Sequence, residues 1–140
     1  MSKLQAFFAD NVNKDITTKA VISERFKDEK GKLIPFEFKA VDRTVEKEIK
    51  KSCTRIPRNK KGINQPEFDW DTYIEKFVAA SITFPNLKDA ELQKSWGVIG
   101  EINLLRVMLL PGEFTEASNT AQEISGYDKD INELVEEAKN

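Results

Sequence analysis

Histidine is absent from the 140-residue sequence, and cysteine occurs once, at Cys53. Without histidine the chain lacks the commonest general base and the commonest protein ligand of zinc. A single cysteine can form neither a disulfide within the chain nor a thiolate metal cluster, and it has no histidine to activate it as a nucleophile. These absences argue against an enzyme and against a bound metal or cofactor. They also fit a reducing, intracellular compartment.

Long hydrophobic runs are missing as well. The longest apolar stretch, residues 98–110, is interrupted by Glu101, Asn103 and Arg106. It spans about 20 Å as a helix, whereas a bilayer crossing needs about 20 apolar residues. The N-terminal residues MSKLQAFFADN have neither the apolar core nor the cleavage site of a signal peptide. We therefore expect a cytoplasmic protein that has no membrane partner.

The pattern of apolar residues predicts a mainly helical α+β fold, with residues 1–140 in a single domain. Residues 1–41 should contain a short helix and then a β-hairpin. The helix is expected from a capping box of Ser2 and Gln5. Apolar residues at helical spacing follow that box: Leu4, Phe7, Phe8 and Val12.

The hairpin is predicted from alternation of apolar and polar residues in 22–26 and in 34–40, around the turn sequence DEKGK. Pro35 favours an edge strand or an early position in the second strand. Thr44 is then expected to cap a helix over residues 45–53.

Residues 42–140 should be helical apart from a basic loop at 54–68, which is rich in Pro, Gly and Asn. Asp69 or Asp71 should begin a helix that Pro85 ends. A short helix is expected over residues 89–95, and an apolar helix over residues 98–110. The tail is expected to fray although it has an apolar stripe of Ile131, Leu134, Val135 and Ala138.

Charge is unevenly distributed along the chain. Residues 47–61 contain seven Lys or Arg and one acid, a net charge of +6, whereas residues 111–140 carry a net charge of −6. The basic residues Arg55, Arg58, Lys60 and Lys61 are candidates for a phosphate contact or for a charged contact between copies of the chain. A solvated loop is the simplest interpretation.

Nucleic acid is the less favoured partner for this basic loop, because no aromatic residue that could stack on bases is interleaved with the basic ones. The aromatic residues that follow the loop, Phe68, Trp70 and Tyr73, are expected to be the buried start of the next helix.

The 98–110 helix is apolar almost all the way round, so it must be buried in a core or against a partner. Gly97 and Gly100 precede it and are expected to form a flexible joint. A central core helix is the simpler interpretation. The alternative makes it a sheltered partner-binding surface, for which the candidate residues are Trp96, Ile102, Leu105, Leu109 and Phe114.

Several segments resemble one family of proteins. They are LQAFFADN, KSCT, the stretch from Asp69 through PNLKDAELQKSWGVIG to LLPGEF, and AQEISGYDKD. The chain is similar in these segments to the XkdN-like tail assembly chaperones of phages and prophages of Gram-positive bacteria. The resemblance is densest over residues 69–126.

The resemblance implies a non-enzymatic role in building long phage tails inside the bacterial host cell. Such a chaperone is expected to bind the tape-measure protein, a long, helical and apolar polypeptide, until tube subunits polymerise around it. Binding along such a client would favour a homo-oligomer. The main alternative is a structural virion component, such as a tail-completion or connector protein.

Overall fold

The computed structural model describes residues 2–56 and 65–127. The N-terminal part of the chain, residues 2–16, is termed the arm. Its capping box is present: the Ser2 N–H donates to Gln5 Oε1 at 2.7 Å, and the Gln5 N–H donates to Ser2 Oγ at 3.2 Å. Two short 3₁₀ helices follow, at Gln5–Phe7 and Ala9–Asn11, in place of the one continuous short helix that the spacing of Leu4, Phe7, Phe8 and Val12 predicts. None of the residues in these turns is buried, and a short helix without packing is unstable in water.

Ten strands and helices follow the arm within the described residues. They are β1 (Thr17–Ala20), β2 (Phe36–Lys39), α1 (Arg43–Ser52), β3 (Thr54–Arg55), β4 (Glu67–Phe68), α2 (Trp70–Ser81), β5 (Ile82–Phe84), α3 (Ala90–Ser95), α4 (Glu101–Met108) and α5 (Pro111–Ile124). The prediction of a mainly helical α+β fold with N-terminal strands is confirmed. None of the helices in the described ranges has the length and apolar character that a bilayer crossing requires.

The predicted hairpin exists, but its first strand lies earlier in the chain than expected. β1 pairs antiparallel with β2, with Thr17 opposite Lys39 and Ala20 opposite Phe36. Residues 22–26 do not form a strand, and Ile22 and Ser23 are both buried there. The Ser23 hydroxyl instead accepts the Arg25 N–H at 3.1 Å, which forms a local turn.

β2 is the central strand of the sheet, which has the order β1–β2–β5 within the described residues. The edge-strand alternative for Pro35 is therefore wrong, and the proline occupies the position just before the strand. Phe36 and Phe38 point into the core while Glu37 does not, as the alternating pattern predicted.

The helix expected to continue to Pro85 ends earlier, at Ser81. The buried Ser81 hydroxyl donates to the Lys39 carbonyl at 2.7 Å, and the chain then pairs with β2 as β5. The first two residues of β5, Ile82 and Thr83, are β-branched and favour an extended backbone.

Aspartate side chains cap the N-termini of α1 and α2. Asp42, and not the predicted Thr44, caps α1 by accepting the Val45 N–H at 2.8 Å. Asp69 caps α2, as expected, by accepting the Thr72 N–H at 3.1 Å.

One cluster of buried side chains joins the sheet to α2, α4 and α5. Ala117 and Ala121 lie on α5 with no exposed surface, so α5 can approach α2 and β2 closely. The apolar helix is shorter than the predicted 98–110, because it begins after Gly100, whose φ of +96° is outside the helical region.

Candidate functional site

An apolar groove of about 340 Å³ lies where the turn after β1, the β2–β5 pair and α3 meet. We term it the Trp96 groove. The side chains that shape it are Phe26, Ile34, Phe84, Leu92, Trp96 and Met108. Phe36 and Met108 are buried and form its floor, while Phe84 and Trp96 are 47% and 37% exposed and form its walls.

The sheet positions Phe84. β5 is an edge strand among the described residues, and Phe84 lies opposite Glu37 in the register with β2. The register shifts between Glu37 and Phe38. A shift of this kind twists an edge strand and redirects its side chains, and here the Phe84 ring lines the groove.

The Gln93 side chain forms hydrogen bonds with residues before and after the turn that contains Trp96. Trp96 follows α3 directly, and the Gln93 side chain of that helix donates to the Leu87 carbonyl at 2.8 Å. The oxygen of the same amide accepts the Gly100 N–H at 3.0 Å. The segment expected to be a flexible joint thus forms a turn beside Trp96 that Gln93 joins to Leu87 and Gly100 by these two hydrogen bonds.

Arg25 also lines the groove. Its guanidinium donates from Nη2 to the Met108 carbonyl at 2.8 Å and from Nε to Glu113 Oε2 at 3.1 Å, and Nη2 also contacts Glu113 Oε1. The guanidinium lies 5.2 Å from the centre of the Phe26 ring, a cation–π distance. These contacts tie the turn after β1 to the junction of α4 and α5.

The hydrogen bond from Arg25 lowers the pKa of Glu113 to about 2, and the Leu110 N–H, which Glu113 also accepts at 2.8 Å, acts in the same direction. Glu113 is therefore ionised at neutral pH and keeps Arg25 in place. The charged groups at the groove are Arg25, which is already paired, and Lys27 at the rim. The remaining surface suits apolar side chains of a polypeptide.

The predicted partner-binding residues fall into separate places. Trp96 forms a wall of the groove, while Ile102 is half-buried in a different cleft beside Ile49 and Leu87. Leu105 and Leu109 are buried core residues, so in this conformation no partner can reach them. Phe114 is half-buried against the same core.

The basic candidates are only partly described. Arg55 pairs with Glu67 at 2.9 Å across β3 and β4, so its charge is balanced within the chain. Arg58, Lys60 and Lys61 lie outside the described residues. Trp70, expected to be buried at the start of α2, is 66% exposed.

Sequence reasoning missed most of the groove, in particular Ile34, Phe84 and Leu92. The signal for Phe84 was its position before Pro85, but that pair was interpreted as the end of a helix. Nothing in the local pattern indicates that residues 34–36 and 84–96 meet, because their contact depends on the pairing of β2 with β5.

Within the described residues, no group of three or more Cys, Asp and Glu side chains is arranged to hold a metal ion.

The sequence matches the family model of the phage XkdN-like tail assembly chaperone protein over residues 4–139. Among curated proteins it is 33% identical over 121 residues to the uncharacterized protein YqbN of Bacillus subtilis (strain 168), covering 85% of this chain and 80% of YqbN. It is 31% identical over 124 residues to the phage-like element PBSX protein XkdN of the same organism, covering 87% of this chain and 83% of XkdN.

The fold also matches that of a solved structure. The crystal structure of the protein YqbN superimposes with a TM-score of 0.74 at 25% sequence identity, covering 91% of this chain and 99% of that chain. Sequence and structure agree over nearly the same extent of the chain. This chain belongs to the family of phage XkdN-like tail assembly chaperones.

Proposed function

We propose that this tail assembly chaperone binds an apolar segment of the tape-measure protein in the Trp96 groove, in the cytoplasm of the bacterial host. The observation that carries the proposal is the pair of exposed aromatic walls, Phe84 and Trp96, over an apolar floor. Burying such surface against a client is favourable by about 25 cal/mol per Å². Family membership supplies the tail-assembly role.

The dimensions of the groove support a polypeptide client. A space of about 340 Å³ accommodates a few apolar side chains, as the anchor residues of an amphipathic helix require. One such contact is weak, and a long client offers many similar segments. We therefore propose that several copies of the chaperone occupy one client, since linked sites raise the overall affinity.

Co-expression with the tape-measure protein of the same phage or prophage tests the proposal. We expect the tape-measure protein to become soluble and to co-elute with many copies of this chain in size exclusion with light scattering. The double variant Phe84→Ser/Trp96→Ser should lose most of this solubilisation. Val107→Ser is the matched control, because Val107 is 46% exposed on α4 and does not line the groove.

The outcomes separate the parts of the proposal. If the tape-measure protein aggregates and this chain elutes alone, client binding is wrong. If the parent chain and the double variant solubilise the client equally, the groove assignment is wrong while the chaperone role stands. Recovery of the chain in purified, assembled tails would instead favour a structural component of the virion.

A further inference from the structure

A second apolar groove, of about 330 Å³, shares no lining residue with the Trp96 groove. We term it the Trp70 groove. Its lining includes Lys50, Trp70, Tyr73, Ile74, Phe77 and Tyr127. Trp70 makes edge contacts with Phe68 and Tyr73 at ring-centre distances of 4.6 and 5.9 Å, yet two thirds of its surface remains exposed. An exposed tryptophan beside an apolar groove favours a polypeptide occupant.

The chain itself leaves from the wall of this groove. α5 ends in a Schellman turn, in which Gly126 has a φ of +95° and the Tyr127 N–H donates to the Gln122 carbonyl at 3.0 Å. The Tyr127 ring lies 6.2 Å from that of Phe77, and its hydroxyl donates to Glu46. Tyr127, the last residue of the described range 65–127, therefore lies in the lining of the groove.

Glu46 holds Tyr127 in place at the groove by accepting its hydroxyl hydrogen bond. Its carboxylate also accepts the Tyr73 hydroxyl at 2.8 Å and lies 3.6 Å from Lys50. The hydrogen bond from Tyr127, above all, lowers the pKa of Glu46. An ionised carboxylate between two tyrosines holds α1, α2 and the end of α5 together.

The surface beside the Trp70 groove and the C-terminal segment of the chain carry opposite charges. An adjoining cleft on α1 is lined by Arg43, Lys47 and Lys50, together with Glu46, which the tyrosines already engage. Residues 128–140, DKDINELVEEAKN, contain five acids and two lysines. Their apolar members recur at intervals of three and four residues: Ile131, Leu134, Val135 and Ala138. In composition, the acids complement the basic residues of α1, and the apolar residues complement the Trp70 groove.

We infer that residues 128–140 dock on the Trp70 groove of the same molecule, with their apolar residues against Trp70 and their acids along the basic face of α1. Thirteen residues reach from about 20 Å when helical to about 43 Å when extended, whereas the ten residues of α1 span about 15 Å. A short tether also gives the segment an effective concentration of the order of millimolar at the groove.

Fluorescence of Trp70 in the full-length chain tests this inference. The chain has two tryptophans, so Trp96→Phe leaves Trp70 as the sole reporter. In that background, Leu134→Asp/Val135→Asp should shift the Trp70 emission to longer wavelength and increase its quenching by acrylamide. The matched control, Asn132→Asp/Asn140→Asp, adds the same two charges at polar positions and should leave both readouts unchanged. Circular dichroism checks that each variant is folded.

Three outcomes would overturn the inference. The first is unchanged emission and quenching in the Leu134→Asp/Val135→Asp variant. The second is an equal change in the control variant, which would indicate a general effect of charge. The third is shielding of Trp70 that increases with protein concentration, which would show docking on a second copy in place of docking within one molecule.

Discussion

The arm and the helical core contain similar apolar residues, but they use them in opposite ways. In the core, Leu104, Leu105 and Val78 are almost completely removed from water. In the arm, Leu4 and Phe8 are exposed, and Phe7 is 81% exposed. Apolar character alone therefore does not decide whether a side chain stabilises this fold.

The difference arises from what each region contacts. α2 packs against both α4 and α5, so the apolar side chains of α2 meet side chains of two other helices. The two turns of the arm are held mainly by their own hydrogen bonds, such as that from the Phe8 N–H to the Gln5 carbonyl at 3.0 Å. Burial supplies most of the stabilisation of a helix, and the arm has no buried face.

A large difference between a core and a surface substitution should appear within a single helix, α4. Leu105 and Val107 both lie on α4 and are 1% and 46% exposed. Leu105→Ala should lower the free energy of unfolding by about 2–5 kcal/mol, because it removes methyl groups and leaves a cavity. Val107→Ala should change it by no more than about 0.5 kcal/mol. Chemical denaturation of both variants measures the difference, and equal losses would contradict the assignment of Leu105 to the core.

The same contrast explains which parts of the fold could be predicted from sequence. Local signals predicted that α2 starts at Asp69 or Asp71, of which Asp69 is the cap, and they predicted the short helix α3, since capping needs only neighbouring residues. They also predicted that Phe36 and Phe38 share one face of a strand. They misplaced β1 and missed β5, because both strands depend on pairing with β2, a contact between distant parts of the chain.

The candidate site was harder to predict for the same reason. Of the predicted partner-binding residues, Trp96 does line a groove. Leu105 and Leu109 belong to the predicted apolar helix, whose period shows an apolar face without showing what covers it. The side chains that cover this face belong to α2 and α5, and no local sequence pattern predicts that packing.

A smaller effect on stability should appear at the ion pair of Arg25 with Glu113, which ties the turn after β1 to the junction of α4 and α5. Glu113 has a pKa of about 2 in the folded chain against an ordinary value of 4.5. Its ionised form therefore stabilises the fold above pH 4.5, and this contribution is lost as the pH falls from 4.5 towards 2. Glu113→Gln should be less stable than the parent chain at pH 5–7.

The gap between the parent chain and Glu113→Gln should narrow as the pH falls from 4.5 to about 2, because the Glu113 carboxyl takes up a proton in the unfolded chain over this range but stays ionised in the folded chain. Urea denaturation at a series of pH values measures it. Glu116→Gln is the matched control, because it removes the same charge from an exposed position of the same helix. A gap that stays constant down to pH 2 would mean that the ion pair with Arg25 does not form in solution.

The smallest effect is expected in the arm. Phe7→Ala should change the free energy of unfolding by no more than about 0.5 kcal/mol. Phe77→Ala, at a residue that is 2% exposed on α2, should cost about 3–5 kcal/mol. If Phe7→Ala is as costly as Phe77→Ala, the arm is packed in solution. A loss that grows with protein concentration would locate that packing between copies of the chain, because only association makes stability depend on concentration.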